Sequence, residues 1–349
     1  MKNKIILIAM FCILTMLILF YAPAMQAAKD GFQIWSTTVM PALFPFFVCS
    51  YIITENINFK NKRFLSGTVF LLSAVSGAPS GARLSSMFYG ESNLKDYKAA
   101  ALNLISPMFI LGALSYSVLS NVECAIPIAI GHYLGAILTL VFIRLIFKND
   151  TPNQNSFSVL KSEEKTGFLS TLGEGIKRGF TSMLFICGTI VFFMVFLTVL
   201  EHAGIVDLIA RPLTLIGINE TLAHALILGV FEVTNGINEL ANVSGVSLSI
   251  TASIACALIS FGGICIFMQS RNFLRIHPIK YMLTKLFQAI LSGCICYLAS
   301  IIFNIDGAVF EPISTEKLVN NAISIGAIAV SLLAPLGAVA LFAFTRRKR

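Results

Sequence analysis

SAVSGAPSGARLSSMF, residues 73–88, breaks an apolar stretch with five small or helix-breaking residues, Gly77 to Gly81, and sets Arg83 just beyond them. The apolar stretch that holds it runs over 65–90, and neither half is long enough to cross a bilayer, which takes about 20 residues of helix. The expected form is a re-entrant hairpin that enters the membrane, turns at the glycines and leaves on the same side. A second stretch, 221–247, is interrupted in the same way at Thr234-Asn235-Gly236. How these two stretches are read decides the fold.

The rest of the chain is a membrane protein by composition. Of 349 residues, 56% are hydrophobic and 12% charged, and the mean hydropathy is +0.84. Soluble domains carry about 25% charged residues. Long apolar runs, rather than short alternating ones, predict an all-α polytopic protein and exclude a β-barrel. Continuous spans are expected over 4–22, 33–54, 99–120, 124–147, 179–200, 249–270, 281–303 and 322–345, about eight in all. The eight cysteines show no metal or disulfide spacing and read as small apolar packing residues.

Charge placement tests this topology. With the N-terminus in the cytoplasm, 21 of the 25 Lys and Arg residues fall at cytoplasmic ends, Lys285 among them. Lys29, Arg211 and Lys317 fall outside, and Arg83 lies in the first hairpin. Making either hairpin a full crossing would invert everything after it and destroy the asymmetry. The positive-inside rule therefore favours eight spans, two hairpins and both termini inside. The formal charge of +8 is accounted for in this way and does not call for nucleic acid as a partner; the lipid bilayer is the partner. Lys2, Lys4 and the apolar run to Tyr21 resemble a secretory signal, but a run this long is read as an uncleaved anchor.

The topology divides the chain into an anchor (1–30), a first repeat (31–148), a basic cytoplasmic linker (149–178), a second repeat (179–304) and a C-terminal helix with a basic tail (305–349). Each repeat reads helix, hairpin, helix, helix, and the two run in opposite senses. Inverted repeats with broken helices are the plan of many secondary transporters, with the substrate near the midplane. The helix after each hairpin is itself interrupted, at Asn103, Ser106 and Pro107 in the first repeat and at Ser260, Gly262 and Gly263 in the second. Unpaired backbone at such depth is tolerated where it lines a wet cavity or is buried in protein.

The expected substrate-binding residues are Gly77, Pro79, Ser80, Gly81 and Arg83 of the first hairpin, Asn103, Ser106 and Pro107, and Thr234, Asn235, Gly236 and Asn238 of the second hairpin. Glu232 and Glu239 are intramembrane carboxylates, costly and usually functional, and are candidates for coupling to sodium or a proton. A second reading pairs one of them with Arg83 across the hairpin tips. His132 reads as a packed polar residue. No nucleophile, metal or phosphate-binding motif stands out, so neither an enzyme nor a resident cofactor is expected.

Five stretches carry a family resemblance: Phe44-Pro45-Phe46-Phe47, SGAPSGARL at 76–84, NLISPMFILGAL at 103–114, AIGHYLG at 129–135 and FEVTNGINELA at 231–241. Together they resemble the YlbJ family, sporulation integral membrane proteins also called stage V sporulation protein V, within the nucleoside-recognition or gate-domain group. The likeness runs in order over roughly residues 30 to 300. The family pattern has an aromatic residue and Pro among the hairpin glycines and then a basic residue, often Lys; this chain has Ala78-Pro79 and Arg83, which keeps the basic charge and lacks the aromatic. The resemblance implies a fold similar to concentrative nucleoside transporters and a role in moving dipicolinic acid from the mother cell across the outer forespore membrane. Arg83 and the Asn235 or Asn238 amide suit such a dicarboxylate; Glu232 and Glu239 would repel it unless neutralised. A nucleoside or other small-solute carrier and a non-transporting spore-envelope protein are the alternatives, and oligomerisation stays open.

Overall fold

The computed structural model describes residues 2–56, 62–89, 94–147 and 168–307, and all regular structure in them is helical. Met1–Asp306 form one compact unit. The expected span 322–345 and the basic tail lie outside the described residues.

Helix α1 (Lys2–Leu19) is followed after Phe20 by α2 (Tyr21–Ile34), a π-helical turn over Trp35–Val39, and α3 (Met40–Asn56). Residues 23–32, expected as a loop between two spans, are therefore helical. Next come α4 (Lys62–Ser76), α5 (Ser80–Tyr89), α6 (Lys95–Leu102), a π-helical stretch over Phe109–Val118, and α7 (Ala125–Ile146). The second half holds α8 (Phe168–His202), α9 (Ile205–Leu215), α10 (Glu220–Phe231), α11 (Val233–Ala241), α12 (Leu248–Phe261), α13 (Gly263–Arg271) and α14 (Pro278–Ile302). Helix α8 begins 11 residues before its expected start at 179, so 168–178 are helix rather than linker. The charged residues there sit on its exposed side, where Arg178 Nε reaches Glu174 Oε1 at 2.7 Å one turn away.

Among the described residues, five helical stretches are long and apolar enough to cross a membrane: Tyr21–Glu55, Val122–Ile146, Phe168–His202, Leu248–Arg271 and Pro278–Ile302. Helices α2 and α3 pack along α8, and α7, α12 and α14 pack on one another. The second contact is close because Gly131 and Gly135, one turn apart, face α14. A Cβ on Gly135 would lie 3.0 Å from Ser292 Cα, and one on Gly131 would lie 2.6 Å from the Ser292 carbonyl oxygen. Small residues at such spacing let helix backbones approach, which is how membrane helices associate when lipid is as apolar as their side chains. The other face of α7, with Ile137, Leu138, Val141 and Leu145, is exposed.

Both broken stretches fold back on themselves as helical hairpins. In the first, Val69 of α4 packs with Leu84 and Phe88 of α5. In the second, Gly236 of α11 lies so close to Gly229 of α10 that a Cβ would fall 2.3 Å from the Gly229 Cα. The element order then matches between halves: a long helix (α3, α8), a hairpin (α4–α5, α10–α11), a broken helix and a long closing helix (α7, α14). Helix α9 has no counterpart among the described residues.

Candidate functional site

Four breaks in the helices are built by local chemistry. Gly77 ends α4 in the left-handed region at φ 73°, and the Ser80 hydroxyl donates to the Gly77 carbonyl at the start of α5. Gly262 and Gly263, at φ 79° and 72°, part α12 from α13; a side chain there would be strained. Residues 103–106 are irregular, and Pro107 opens the next helical stretch, a position where its missing N–H costs nothing. The fourth break differs from expectation. It falls at Glu232 rather than at Thr234-Asn235-Gly236, because the Glu232 carboxylate turns back to cap α11. It accepts from the Asn235 backbone N–H at 2.8 Å and from the Thr234 hydroxyl. Gly236 is inside α11, kept small by its approach to Gly229.

Each hairpin tip touches the broken helix of its own half. A Cβ on Gly77 would meet Leu43 Cδ2 at 2.8 Å and Ser106 Cβ at 3.1 Å, and one on Gly263 would meet the Phe231 carbonyl oxygen at 3.0 Å. Between these contacts lies a small pocket, and Ala78, Ser106, Glu232, Thr234 and Gln269 give it its tip and polar surfaces. Leu43, Ile186 and Ile190 close it from α3 and α8. The Gln269 amide is fixed by donating to Thr189 Oγ1 at 2.8 Å. A second pocket shares Thr234 and adds Asn238.

The expected site residues thus separate. Ser106, Thr234 and Glu232 meet at the first pocket, with Gly77, Pro79 and Ser80 forming the tip beside Ala78. Asn235 contributes its backbone N–H to the Glu232 cap, and Asn238 faces the second pocket. Glu239 is half-buried on α11 and lines neither. Gly81 packs against the end of α6, where a Cβ would fall 1.9 Å from the Leu102 carbonyl oxygen. Arg83 lies elsewhere: its guanidinium sits 5.1 Å from the centre of the Tyr51 ring, a cation–π contact. Among the described residues it makes no ion pair with Glu232 or Glu239.

Asn103 belongs to a buried polar cluster that holds the irregular segment. Its Nδ2 donates to Ser270 Oγ at 2.8 Å and to the Tyr281 hydroxyl at 2.9 Å, and its carbonyl accepts from Lys285 Nζ at 3.1 Å. Two residues on, the backbone of Ile105 is served by α7. His132 Nε2 accepts from the Ile105 N–H at 2.9 Å, and the Tyr133 hydroxyl donates to the Ile105 carbonyl at 2.9 Å. With Nε2 accepting, Nδ1 carries the proton and donates to Ser260 Oγ at 2.7 Å, two residues before the Gly262 break. His132 therefore joins the breaks of the two halves. AIGHYLG shows the polar pair at 132–133, but only the fold supplies the unwound backbone it serves.

No protein-family model matches the chain, and no solved structure matches it. It is 25% identical over 320 residues to the "Sporulation integral membrane protein YlbJ" of Bacillus subtilis (strain 168), with 80% of this chain and 78% of that protein covered. The likeness extends over most of the broken-helix core, and with its apolar helices the chain is an integral membrane protein similar to that sporulation protein.

Proposed function

We propose that the protein is a secondary transporter of a small organic anion, dipicolinate in particular, carrying it from the mother cell across the outer forespore membrane during sporulation. One observation carries the reading: four separate helix breaks, two of them hairpin tips, converge on a single pocket. Broken helices meeting at a site are the transporter arrangement, because irregular backbone in a membrane is stable only inside protein or beside a cavity. The sporulation name of the Bacillus subtilis relative supplies the context. Helix lengths support re-entrant hairpins: α4, α5, α10 and α11 have 15, 10, 12 and 9 residues. At about 1.5 Å per residue none spans a hydrocarbon core of about 30 Å. With eight spans in inverted repeats and both termini cytoplasmic, the pocket lies where alternating access would expose it to each side in turn.

The deciding experiment is uptake of labelled dipicolinate into proteoliposomes, with and without sodium or proton gradients. Accumulation above protein-free vesicles is expected; its absence in reconstituted, folded protein would sink the anion-carrier reading. A neutral cargo such as a nucleoside is the second reading, favoured by one fact: neither pocket has a basic side chain in its lining. Competition by nucleosides against dipicolinate separates the two.

Two variants refine the mechanism. Glu232 is the carboxylate in the pocket wall, and as a cap it also holds the start of α11. Glu232→Gln is expected to cost about 1 kcal/mol of stability through the weakened cap. If Glu232 is the coupling group, uptake by this variant no longer responds to a proton gradient; a response equal to wild type removes it from coupling. Arg83→Ala is expected to lose about 1 kcal/mol with the Tyr51 contact. Spores of a host expressing that variant should keep their dipicolinate, and a large deficit with normal expression would return Arg83 to the site.

A further inference from the structure

Lys285 counts as a cytoplasmic-end charge in the sequence, yet its side chain is 0% exposed within α14. Its ammonium donates to the Asn103 carbonyl at 3.1 Å and to Gln288 Oε1 at 3.4 Å. Both acceptors are neutral, and no carboxylate among the described residues lies within ion-pair distance. Gln288, one turn on and also 0% exposed, has a buried Nε2 with no hydrogen-bond partner. The cluster thus holds a lysine amine without a carboxylate partner and an amide donor without an acceptor. Buried charges are normally paired, and buried donors normally satisfied, because each costs free energy alone. A carboxylate would answer both deficits at once.

The four residues 103–106 stand between this cluster and the pocket. The Asn103 carbonyl lies on the lysine, while Ile105 and Ser106 line the pocket. The segment is irregular and held largely by side chains of other helices, His132, Tyr133, Ser270, Tyr281 and Lys285, so a shift exchanges those bonds rather than unwinding a helix interior. We propose that Lys285 and Gln288 form the carboxylate-recognition site of the cargo, uncovered when segment 103–106 moves and the Asn103 carbonyl gives way to a carboxylate oxygen. This rests on the anion-carrier reading and supplies the positive charge that the pocket lining lacks.

The test uses the full-length protein in proteoliposomes and two probes, pyridine-2,6-dicarboxylate and its neutral diamide. Lys285→Gln is expected to weaken diacid binding by at least about thirtyfold, the usual size of a lost buried charge partner, and to leave diamide binding within a few-fold. Gln288→Glu provides the missing counter-ion internally. It should fold, resist heat at least as well as wild type, and lose the diacid to a similar degree. A purely structural lysine predicts the opposite for Gln288→Glu: a sound fold with unchanged diacid uptake. If Lys285→Gln does not fold, Gln288→Glu alone decides. Wild-type uptake that survives in the folded variants overturns the lysine assignment only, whereas absence of diacid uptake by wild type overturns the anion reading and this site with it.

Discussion

Gly81→Ala is expected to destabilise the folded protein by about 3 kcal/mol or more, at the upper end of what overpacking costs. The added methyl carbon would fall 1.9 Å from the Leu102 carbonyl oxygen, 2.5 Å from its carbon and 2.9 Å from Asn103 Cα. All three are backbone atoms, so no rotamer change relieves the clash. Either α5 withdraws from α6, or the irregular segment beginning at Asn103 is displaced along with its bonds to Ser270 and Tyr281. Gly236→Ala should behave alike in the second hairpin, with a Cβ 2.3 Å from Gly229 Cα and 2.7 Å from the Ala225 carbonyl oxygen. Gly188→Ala is the control. It lies inside α8 with nothing within 4 Å of the new carbon, and it should stabilise the helix by about 0.5–1 kcal/mol. Thermal unfolding in detergent, compared across the three variants, checks this; equal behaviour of Gly81→Ala and Gly188→Ala would show that the hairpin is not packed as described.

Much of this architecture was legible in the sequence because backbone breaks have their own residue chemistry. Gly77, Gly262 and Gly263 adopt positive φ where the sequence reading put interruptions, and Pro107 begins a helix after an irregular segment. Gly236 misled for the same reason. A glycine can permit a turn or permit a contact, and one sequence does not say which. Here it permits contact with Gly229, and a carboxylate four residues earlier makes the break.

Charges were the harder part. Counting Lys and Arg by position treats each as solvated, and Lys285 sits within a turn or two of a polar boundary where that is the natural reading. Its burial depends on a carbonyl 182 positions earlier that exists as a free acceptor only because the helix there is unwound. Arg83 shows the reverse: a charge beside a hairpin tip looks like a ligand, yet α5 points it toward Tyr51. Asn103 lies in an interruption that its neighbours Ser106 and Pro107 signal, but its partners Ser270 and Tyr281 come from the other half of the chain. Local pattern located the breaks, whereas their partners are tertiary.

His132→Leu is the second large effect. The substitution removes the acceptor of the Ile105 N–H and the partner of Ser260 Oγ, in a place where His132, Ser260 and Ile105 are all buried. An unmet buried N–H costs about 1–3 kcal/mol, so with the Ser260 bond also lost a total of about 2–4 kcal/mol is expected. His132→Gln should recover part of this, since an amide oxygen can accept from Ile105 at the Nε2 position. A double-mutant cycle with Ser260→Ala isolates the bond to the second half, where a coupling of about 1 kcal/mol is expected for residues in direct contact. Stability alone does not distinguish a support from a working part. Ile105 lines the pocket, Ser260 adjoins the Gly262 break, and His132 is the side chain bonded to both. If the two breaks move together during transport, His132→Gln should restore stability more completely than uptake, because a flexible amide keeps one bond but loses the imidazole's fixed span. Equal recovery of both would make His132 a support for the fold and nothing more.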